Sequence, residues 1–266
     1  MDKNPDVKFS TPHTKYLRLA SATVGLAGLD VLEVGGCSPP ALVAGFQPAS
    51  WTCLNLNKVA VEEFNRAAQQ AGLTRYSAKL QDIATLDARD QFDRVYSINS
   101  FEHIRDLRST LRQLHTALRP GGQLFSLFGP IWSSDVGHHL SIPTPKGEVH
   151  FFDGVLDPWE HMTSTPQKLR AKLEARYDAA TAARAVEFIY DYPDLNRLCE
   201  HEYLEMLEGS GFSKVLVLRN KHGSPPNVAG ASATRELLLV LKKGGAGLVE
   251  KFGALLKFSF AYLRAR

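Results

Sequence analysis

Val31-Leu32-Glu33-Val34-Gly35-Gly36-Cys37 is the stretch whose reading decides the fold. With Leu29-Asp30 before it, it reads as a short buried strand that ends in two glycines. Ser38-Pro39-Pro40 then opens a helix, because proline is favoured in a first helical turn. A glycine turn between a strand and a helix lets main chain approach a ligand closely, and such turns suit nucleotides generally. The turn lacks the Gly-x-Gly-x-x-Gly of a dinucleotide site. It also lacks the Gly-Lys-Ser/Thr ending of a P-loop. Phosphate cradling is therefore not favoured.

The alternation continues outward from that turn. Trp51-Thr52-Cys53-Leu54-Asn55 reads as a second strand. Asn57 then caps a helix with Val61, Phe64 and Ala68 at helical spacing, stopped by Gly72. Arg75 to Leu80 reads as a third strand, followed by Gln81-Asp82, and Phe92 to Ile98 as a fourth. Leu107, Leu111, Leu114 and Leu118 mark one helix face ahead of Pro120-Gly121-Gly122. Gln123 to Phe128 is a fifth strand. From Gly129 to about Leu198 the rhythm breaks into His-, Pro- and aromatic-rich sequence, with helical material from Pro166 to Ile189. Leu204 to Gly211 reads as a helix, and Phe212 to Arg219 and Arg235 to Leu241 as two last strands, joined by a loop through Gly223-Ser224-Pro225-Pro226-Asn227.

Strand–helix repetition specifies a parallel sheet covered on both faces. Ligands of such sheets bind at the carboxyl ends of the strands. Gly35-Gly36, Asn55, Asp82 and Asn99-Ser100 gather at those ends. The expected architecture is a Rossmann-like, doubly wound α/β fold. Its parts are a helical lead-in over 1–28, a ligand-binding domain over 29–243 with a cap insertion over about 130–198, and an amphipathic helix over 244–266.

Composition narrows the class. The 266 residues are 44% hydrophobic and 22% charged, ordinary for a globular chain that buries a core without staples. Cys37, Cys53 and Cys199 are too few and too scattered for a disulfide framework or a zinc site. The expected setting is a reducing cytoplasm. Met1 to Ser10 is polar and does not read as a leader. Lys251, Lys257, Arg264 and Arg266 against Glu250 account for the whole formal charge of +3. No basic stripe remains for a nucleic acid.

These residues resemble the class I S-adenosyl-L-methionine (SAM) dependent methyltransferases, in particular the group that includes ubiquinone-type and small-molecule enzymes. The resemblance runs from about Asp30 to Phe128, and the final hairpin also fits. Its most specific part is Phe92-Asp93-x-Val95, then Asn99-Ser100-Phe101-Glu102-His103-Ile104, then Leu118-Arg119-Pro120-Gly121-Gly122. The resemblance implies a mostly parallel seven-stranded sheet whose last strand is antiparallel. It implies SAM as cofactor, with S-adenosyl-L-homocysteine as product. It places Glu33, Gly35, Gly36 and Cys37 around the methionine part, and Asn55 and Leu56 at the ribose. Asp82 and Ile83 fall at the adenine, and Asn99, Ser100 and His103 after the fourth strand. Cys37 stands where a second glycine is usual, and Asn55 where an acid is usual.

Each residue also has a plainer reading. Glu33 could stabilise the turn, and Asp82 could cap one. Asn55 reads equally as a helix cap. His103 reads as a residue packed over the cofactor rather than a catalyst. Cys37 reads as a small loop residue, since methyl transfer from SAM needs no protein nucleophile.

Oxygen acceptors often need a base, and histidine suits neutral pH. His138 and His139 lie about ten residues past the fifth strand, and one of them is the candidate general base. A solvated or locally bonded histidine pair is the competing reading. His138, His139, His150, Glu160 and His161 could converge with Asp153 or Asp157, but their spacing matches no compact ligand motif, so no metal is expected. Gly137-His138-His139-Leu140 resembles a loop of bacterial methyltransferases linked to surface glycans or secondary metabolites. The implied acceptor is a small molecule or glycan.

In the tail, Leu248, Val249, Phe252, Leu255, Leu256, Phe260 and Leu263 share a helical face. Packing on the domain or on a second subunit is the first reading. Peripheral contact at the inner membrane face is the second. A non-catalytic SAM-fold scaffold remains the alternative function, which Cys37 and Asn55 allow. A nucleic-acid methyltransferase is disfavoured, because Asn99-Ser100-Phe101-Glu102 replaces the Asn/Asp-Pro-Pro-Tyr/Phe such enzymes carry. Oxidoreductase use of the fold is weaker still.

Overall fold

The computed structural model describes residues 11–144 and 147–264. Met1–Ser10, read above as no leader, lies outside the described residues. In chain order the elements are α1 (Thr11–Val24), β1 (Asp30–Val34), α2 (Pro40–Ala44), β2 (Ser50–Asn55), α3 (Lys58–Gln70), β3 (Tyr76–Leu80), β4 (Phe92–Ile98), α4 (Leu107–Ala117) and β5 (Leu118–Phe128). They continue with β6 (Ser141–Thr144), β7 (Gly147–His150), α5 (Glu160–Thr163), α6 (Pro166–Glu174), α7 (Ala179–Asp191), α8 (Glu200–Glu208), β8 (Phe212–Lys221), β9 (Thr234–Lys243) and α9 (Leu248–Arg264). Single 3-10 turns follow β3 (Ile83–Thr85) and β4 (Phe101–His103).

Seven strands form one sheet in the order β3-β2-β1-β4-β5-β9-β8. The first five run parallel, and β9 is antiparallel to both its neighbours. The expected doubly wound topology with an antiparallel last strand is therefore present. The order reverses between β1 and β4, which opens a crevice at their carboxyl ends.

Apolar residues alternate across each strand and bury both faces. Leu32, Val34, Val95 and Leu124 pack under α4 and α8, with Leu107, Leu111, Leu114, Tyr203 and Leu207. Val31, Trp51, Cys53, Tyr96 and Phe125 pack on the other face, against Leu17, Val61, Phe64 and Ala254 from α1, α3 and α9. Helix ends follow local chemistry. Asn57 Oδ1 accepts the Ala60 N–H at 3.2 Å, and Asp106 Oδ1 accepts the Ser109 N–H at 2.9 Å.

Several boundaries differ from expectation. β5 begins at Leu118, because Leu118 pairs with Phe92 before the register shifts and resumes at Gln123 opposite Arg94. Pro120-Gly121-Gly122 forms the detour, with Gly121 at φ 80°. α8 starts at Glu200 rather than Leu204, because Glu202 Oε2 accepts the Cys199 N–H at 2.7 Å and closes the first turn. Between β5 and α8 the chain builds a core of its own from Leu140, Ile142, Val149, Leu156, Leu169, Leu173, Ala182 and Ile189. That segment contains the antiparallel β6–β7 hairpin, which was not anticipated, and two helices where one helical stretch was read.

The tail corrects the expectation more sharply. α9 turns Ala254, Phe258, Ala261 and Tyr262 toward the domain. The apolar face read from the sequence points outward: Val249 is 88% exposed, and Leu248, Phe252, Phe260 and Leu263 are exposed with it.

Candidate functional site

A cleft of about 650 Å³ opens at the carboxyl ends of β1, β2, β3 and β4. Val34 and Gly35 end β1, Leu54, Asn55 and Leu56 end β2, Gln81, Asp82, Ile83 and Ala84 follow β3, and Asn99, Ser100, His103, Ile104, Arg105 and Asp106 follow β4. Thr110 of α4 and Asp194 complete its lining.

The floor is the glycine turn. Gly35 has φ 80°, and a Cβ there would lie 2.2 Å from Ser100 Oγ. The left-handed conformation and the approach of the β4 loop both exclude a side chain. A Cβ on Gly36 would meet Glu33 Oε1 at 2.3 Å.

Glu33 does not line the cleft. Side chains alternate across a strand, so Glu33 shares the face of Val31 and points under the turn, where it is 2% exposed. There it accepts hydrogen bonds from the Ser38 N–H (3.1 Å), Ser38 Oγ (2.6 Å), Trp51 Nε1 (2.7 Å) and Cys53 Sγ (3.0 Å). The carboxylate anchors the turn from below. Gly36 and Cys37 are likewise outside the lining, and Cys37 packs against the α1/α3 core.

Asn55 lines the cleft, but its polar atoms are engaged. Nδ2 donates to Gly35 O (2.9 Å) and Gly36 O (3.2 Å), and Oδ1 accepts the Asn57 N–H (2.8 Å). It ties β2 to the glycine turn. The next residue, Leu56, is 70% exposed at the cleft edge. Asp82 Oδ1 caps the turn after β3 by accepting the Ala84 N–H at 2.9 Å, and Ile83 is buried behind it. Asn99 holds φ 48°, and its N–H donates to Leu127 O at 2.9 Å. Ser100 Oγ donates to Ile98 O at 2.9 Å. Exposed His103 has its Nδ1 2.7 Å from Asp194 O.

The two histidines chosen as candidate bases sit elsewhere. His138 is 2% exposed and outside the cleft lining. Its Nδ1 accepts the Leu140 N–H at 3.1 Å, and burial, with His161 and His139 beside it, pushes its pKa down to about 3. His139 is buried behind His103, with ring centres 5.4 Å apart, and burial lowers it to about 4. Both are neutral imidazoles at pH 7. His161, which Trp132 O holds at 2.8 Å from Nε2, is lowered by burial to about 4. Among the described residues the wider histidine set is not brought together as one ligand group. Among the described residues, the group whose ligand atoms do meet is Glu102, His103 and His139. Glu102 is buried, and that burial raises its pKa to about 8.

Outside the expected site residues, Val34, Leu54, Gln81, Ala84, Ile104, Arg105, Asp106, Thr110 and Asp194 also line the cleft. The β4–α4 loop was marked only as far as Ile104, so Arg105 and Asp106 were within reach. Asp194 carried no local signal. It reaches the cleft because its segment is tied to the β4 loop: Asn196 N–H donates to Glu102 O (2.9 Å), and Arg105 Nε donates to Pro193 O (2.8 Å).

Residues 32–126 match the family described as "Methyltransferase domain". Over 99 residues the chain is 33% identical to the sterol 24-C-methyltransferase erg6 of Aspergillus fumigatus, covering 36% of this chain and 26% of that one. Residues 32–126 are a class I SAM-dependent methyltransferase domain. The chain spans only about a quarter of the length of that sterol enzyme. Among solved structures, a SAM-dependent methyltransferase from Mesorhizobium loti shares the fold at TM-score 0.54 and 16% identity, over 86% of this chain and 97% of that one. The [4+2]-cyclase SpnF is similar at TM-score 0.55 and 17% identity, over 92% and 86% of the two chains.

The cofactor of this domain class is SAM, and the cleft of the methyltransferase domain has the features such a ligand needs. The glycine turn is a cradle that a Cβ would fill. Asp82 supplies a carboxylate whose Oδ1 accepts the Ala84 N–H. Leu56 and Ile104 add apolar surface to the cleft lining. An acid in place of Asn55 is not required for the cradle, because the amide already braces it.

Proposed function

We propose that the chain transfers a methyl group from SAM to an oxygen or nitrogen of a small-molecule or sugar-like acceptor, in surface-glycan or secondary-metabolite chemistry. The observation that carries this reading is the cleft at the switch point, with its side-chain-free turn at Gly35 and Asp82 at the end of β3.

Bound SAM supplies the electrophilic methyl group and its own sulfonium leaving group, so the protein has to position and desolvate rather than supply a nucleophile. Gly35 and Gly36 let main chain reach the amino-acid end. Asp82 offers a carboxylate to an amino group, and Ile83 a backbone edge. Asn99 and Ser100 hold the β4 loop across the turn. His103, fixed by Asp194 O, stands on the wall shared with the segment between β5 and α8. We read that segment as a cap that shapes the acceptor side.

The test is a panel of hydroxyl- and amine-bearing acceptors with SAM labelled in its methyl group. Label in one acceptor class, with stoichiometric release of S-adenosylhomocysteine, supports the reading. Binding of S-adenosylhomocysteine without transfer to any acceptor would favour a non-catalytic SAM-fold protein. SpnF shows that this fold hosts other chemistry, and function follows the site rather than the fold.

A second reading concerns place. Among the described residues, no helix is long and apolar enough to cross a membrane. α9 nevertheless exposes Leu248, Val249, Phe252, Phe260 and Leu263, and Lys251, Lys257 and Arg264 lie along the same helix. We propose that this face rests on an anionic membrane surface, where apolar side chains enter the interface and the cations meet lipid headgroups.

A further inference from the structure

Two polar atoms behind the cleft wall are buried and have no hydrogen-bond partner among the described residues: Glu102 Oε2 and His139 Nε2. Such atoms are uncommon and call for a ligand or another explanation. Their residues belong to one group. The ligand atoms of Glu102, His103 and His139 all lie within 4.8 Å of one another.

The surroundings prepare all three for coordination. His103 Nδ1 lies 2.7 Å from Asp194 O, and His139 Nδ1 lies 3.0 Å from Gly137 O. A carbonyl only accepts, so each Nδ1 carries the proton and each Nε2 presents a lone pair. That is the arrangement in which metal-bound histidines are held. Glu102 Oε1 accepts the Gly129 N–H at 3.1 Å, which fixes the carboxylate and leaves Oε2 over. His139 sits at φ 51°, a costly conformation for a residue that is not glycine.

We propose that Glu102, His103 and His139 bind a divalent transition-metal ion at the wall of the cleft. Two imidazoles and one carboxylate suit Zn²⁺, Fe²⁺, Co²⁺ or Mn²⁺ and leave coordination positions open. Exposed His103 also lines the cleft, so the open positions border the space where an acceptor meets the cofactor. There the ion would bind an acceptor hydroxyl and lower its pKa, a task that the buried imidazoles of His138 and His139 are not placed to perform as free bases. This catalytic role rests on the methyltransferase reading; the metal site itself does not.

The test uses the full chain after chelator treatment, titrated with Co²⁺ alone and followed by its visible absorption. One equivalent is expected to bind and to be displaced by Zn²⁺. Glu102→Gln, His139→Ala and His103→Ala should each weaken Co²⁺ at least about tenfold. Because Glu102 and His139 are buried, near-ultraviolet circular dichroism and S-adenosylhomocysteine calorimetry accompany their variants, and exposed His103→Ala provides the variant that folding does not threaten. Loss of Co²⁺ with S-adenosylhomocysteine binding kept in the Glu102 and His139 variants supports the site. Co²⁺ binding by a chain that takes no S-adenosylhomocysteine also supports it, while removing the catalytic role. Failure of the wild-type chain to bind Co²⁺, or equal binding by all three variants, overturns the site.

Discussion

Gly36 rests on Glu33: a Cβ added to Gly36 would lie 2.3 Å from Glu33 Oε1. The carboxylate cannot withdraw, because Ser38 and Trp51 hold it by hydrogen bonds of 2.6 Å and 2.7 Å. Gly36→Ala should therefore displace the turn as a whole. We expect a stability loss of about 1–3 kcal/mol, typical of overpacking, together with weaker S-adenosylhomocysteine binding. Urea unfolding and calorimetry measure the two.

Glu33→Ala removes the acceptor that Ser38, Trp51 and Cys53 share. Each buried donor left unmet costs about 1–3 kcal/mol, so a net loss of about 3 kcal/mol is expected in urea unfolding. Glu33→Gln, which keeps an acceptor oxygen, should lose clearly less. Equal losses for the two would show that the carboxylate does not anchor the turn by accepting these bonds.

Asn55→Asp restores the acid usual at this place in similar methyltransferases, yet it should weaken binding. Nδ2 is the donor to Gly35 O and Gly36 O, and a carboxylate there would face two carbonyl oxygens. We expect about a tenfold weaker affinity for S-adenosylhomocysteine, near 1.4 kcal/mol. Tighter binding would mean that the amide's bracing role has been overrated.

Asp135 is 3% exposed and pairs with Arg235, whose Nε lies 3.0 Å from Oδ1, and with His222 at 2.6 Å. Burial alone would raise its pKa, but the hydrogen bond and charge of Arg235, with a smaller part from His222, hold it below the usual carboxylate range. A depressed folded-state pKa stabilises the fold above the unfolded value, and that stability is lost as pH falls through the folded value. The wild-type melting temperature should fall as pH drops below about 4, and Asp135→Asn should be less stable at pH 7 with a flatter acid limb. Parallel curves for the two proteins would count against this pair as the cause.

Phe252→Glu and Phe260→Glu place charges on the outward face of α9 and leave Ala254, Phe258 and Tyr262 on its packed face. Full-length protein should float with anionic vesicles, and the doubly substituted protein should not. Equal flotation would sink the membrane reading, and a concentration-dependent change of mass without flotation would assign the face to a second copy.

Much of this fold was legible because buried strands and glycine stops are local signals. Val31 to Val34, Phe92 to Ile98 and the Leu107–Leu114 stripe all fell where expected. The role of Glu33 follows from the strand's own period: with Leu32 and Val34 on one face, Glu33 shares the other with Val31. The face of α9 was read correctly as a face, but periodicity does not say which side a domain takes. Two short strands around Pro143 and Val149 lack the alternation that marks a hairpin. The meeting of Glu102 with His139 depends on the path of the β5 loop, which no spacing along the chain records.

The cleft at the end of β1 is proposed as the SAM site. Calorimetry of the full chain with S-adenosylhomocysteine, beside Gly35→Ala and Asp82→Ala, tests it most directly. Saturable one-to-one binding is predicted for the wild type. Asp82→Ala should lose about tenfold or more, as expected for a charged hydrogen bond, and Gly35→Ala should abolish binding, because its Cβ would lie 2.2 Å from Ser100 Oγ. No binding by the folded wild-type protein, or unchanged affinity in both variants, would contradict the account.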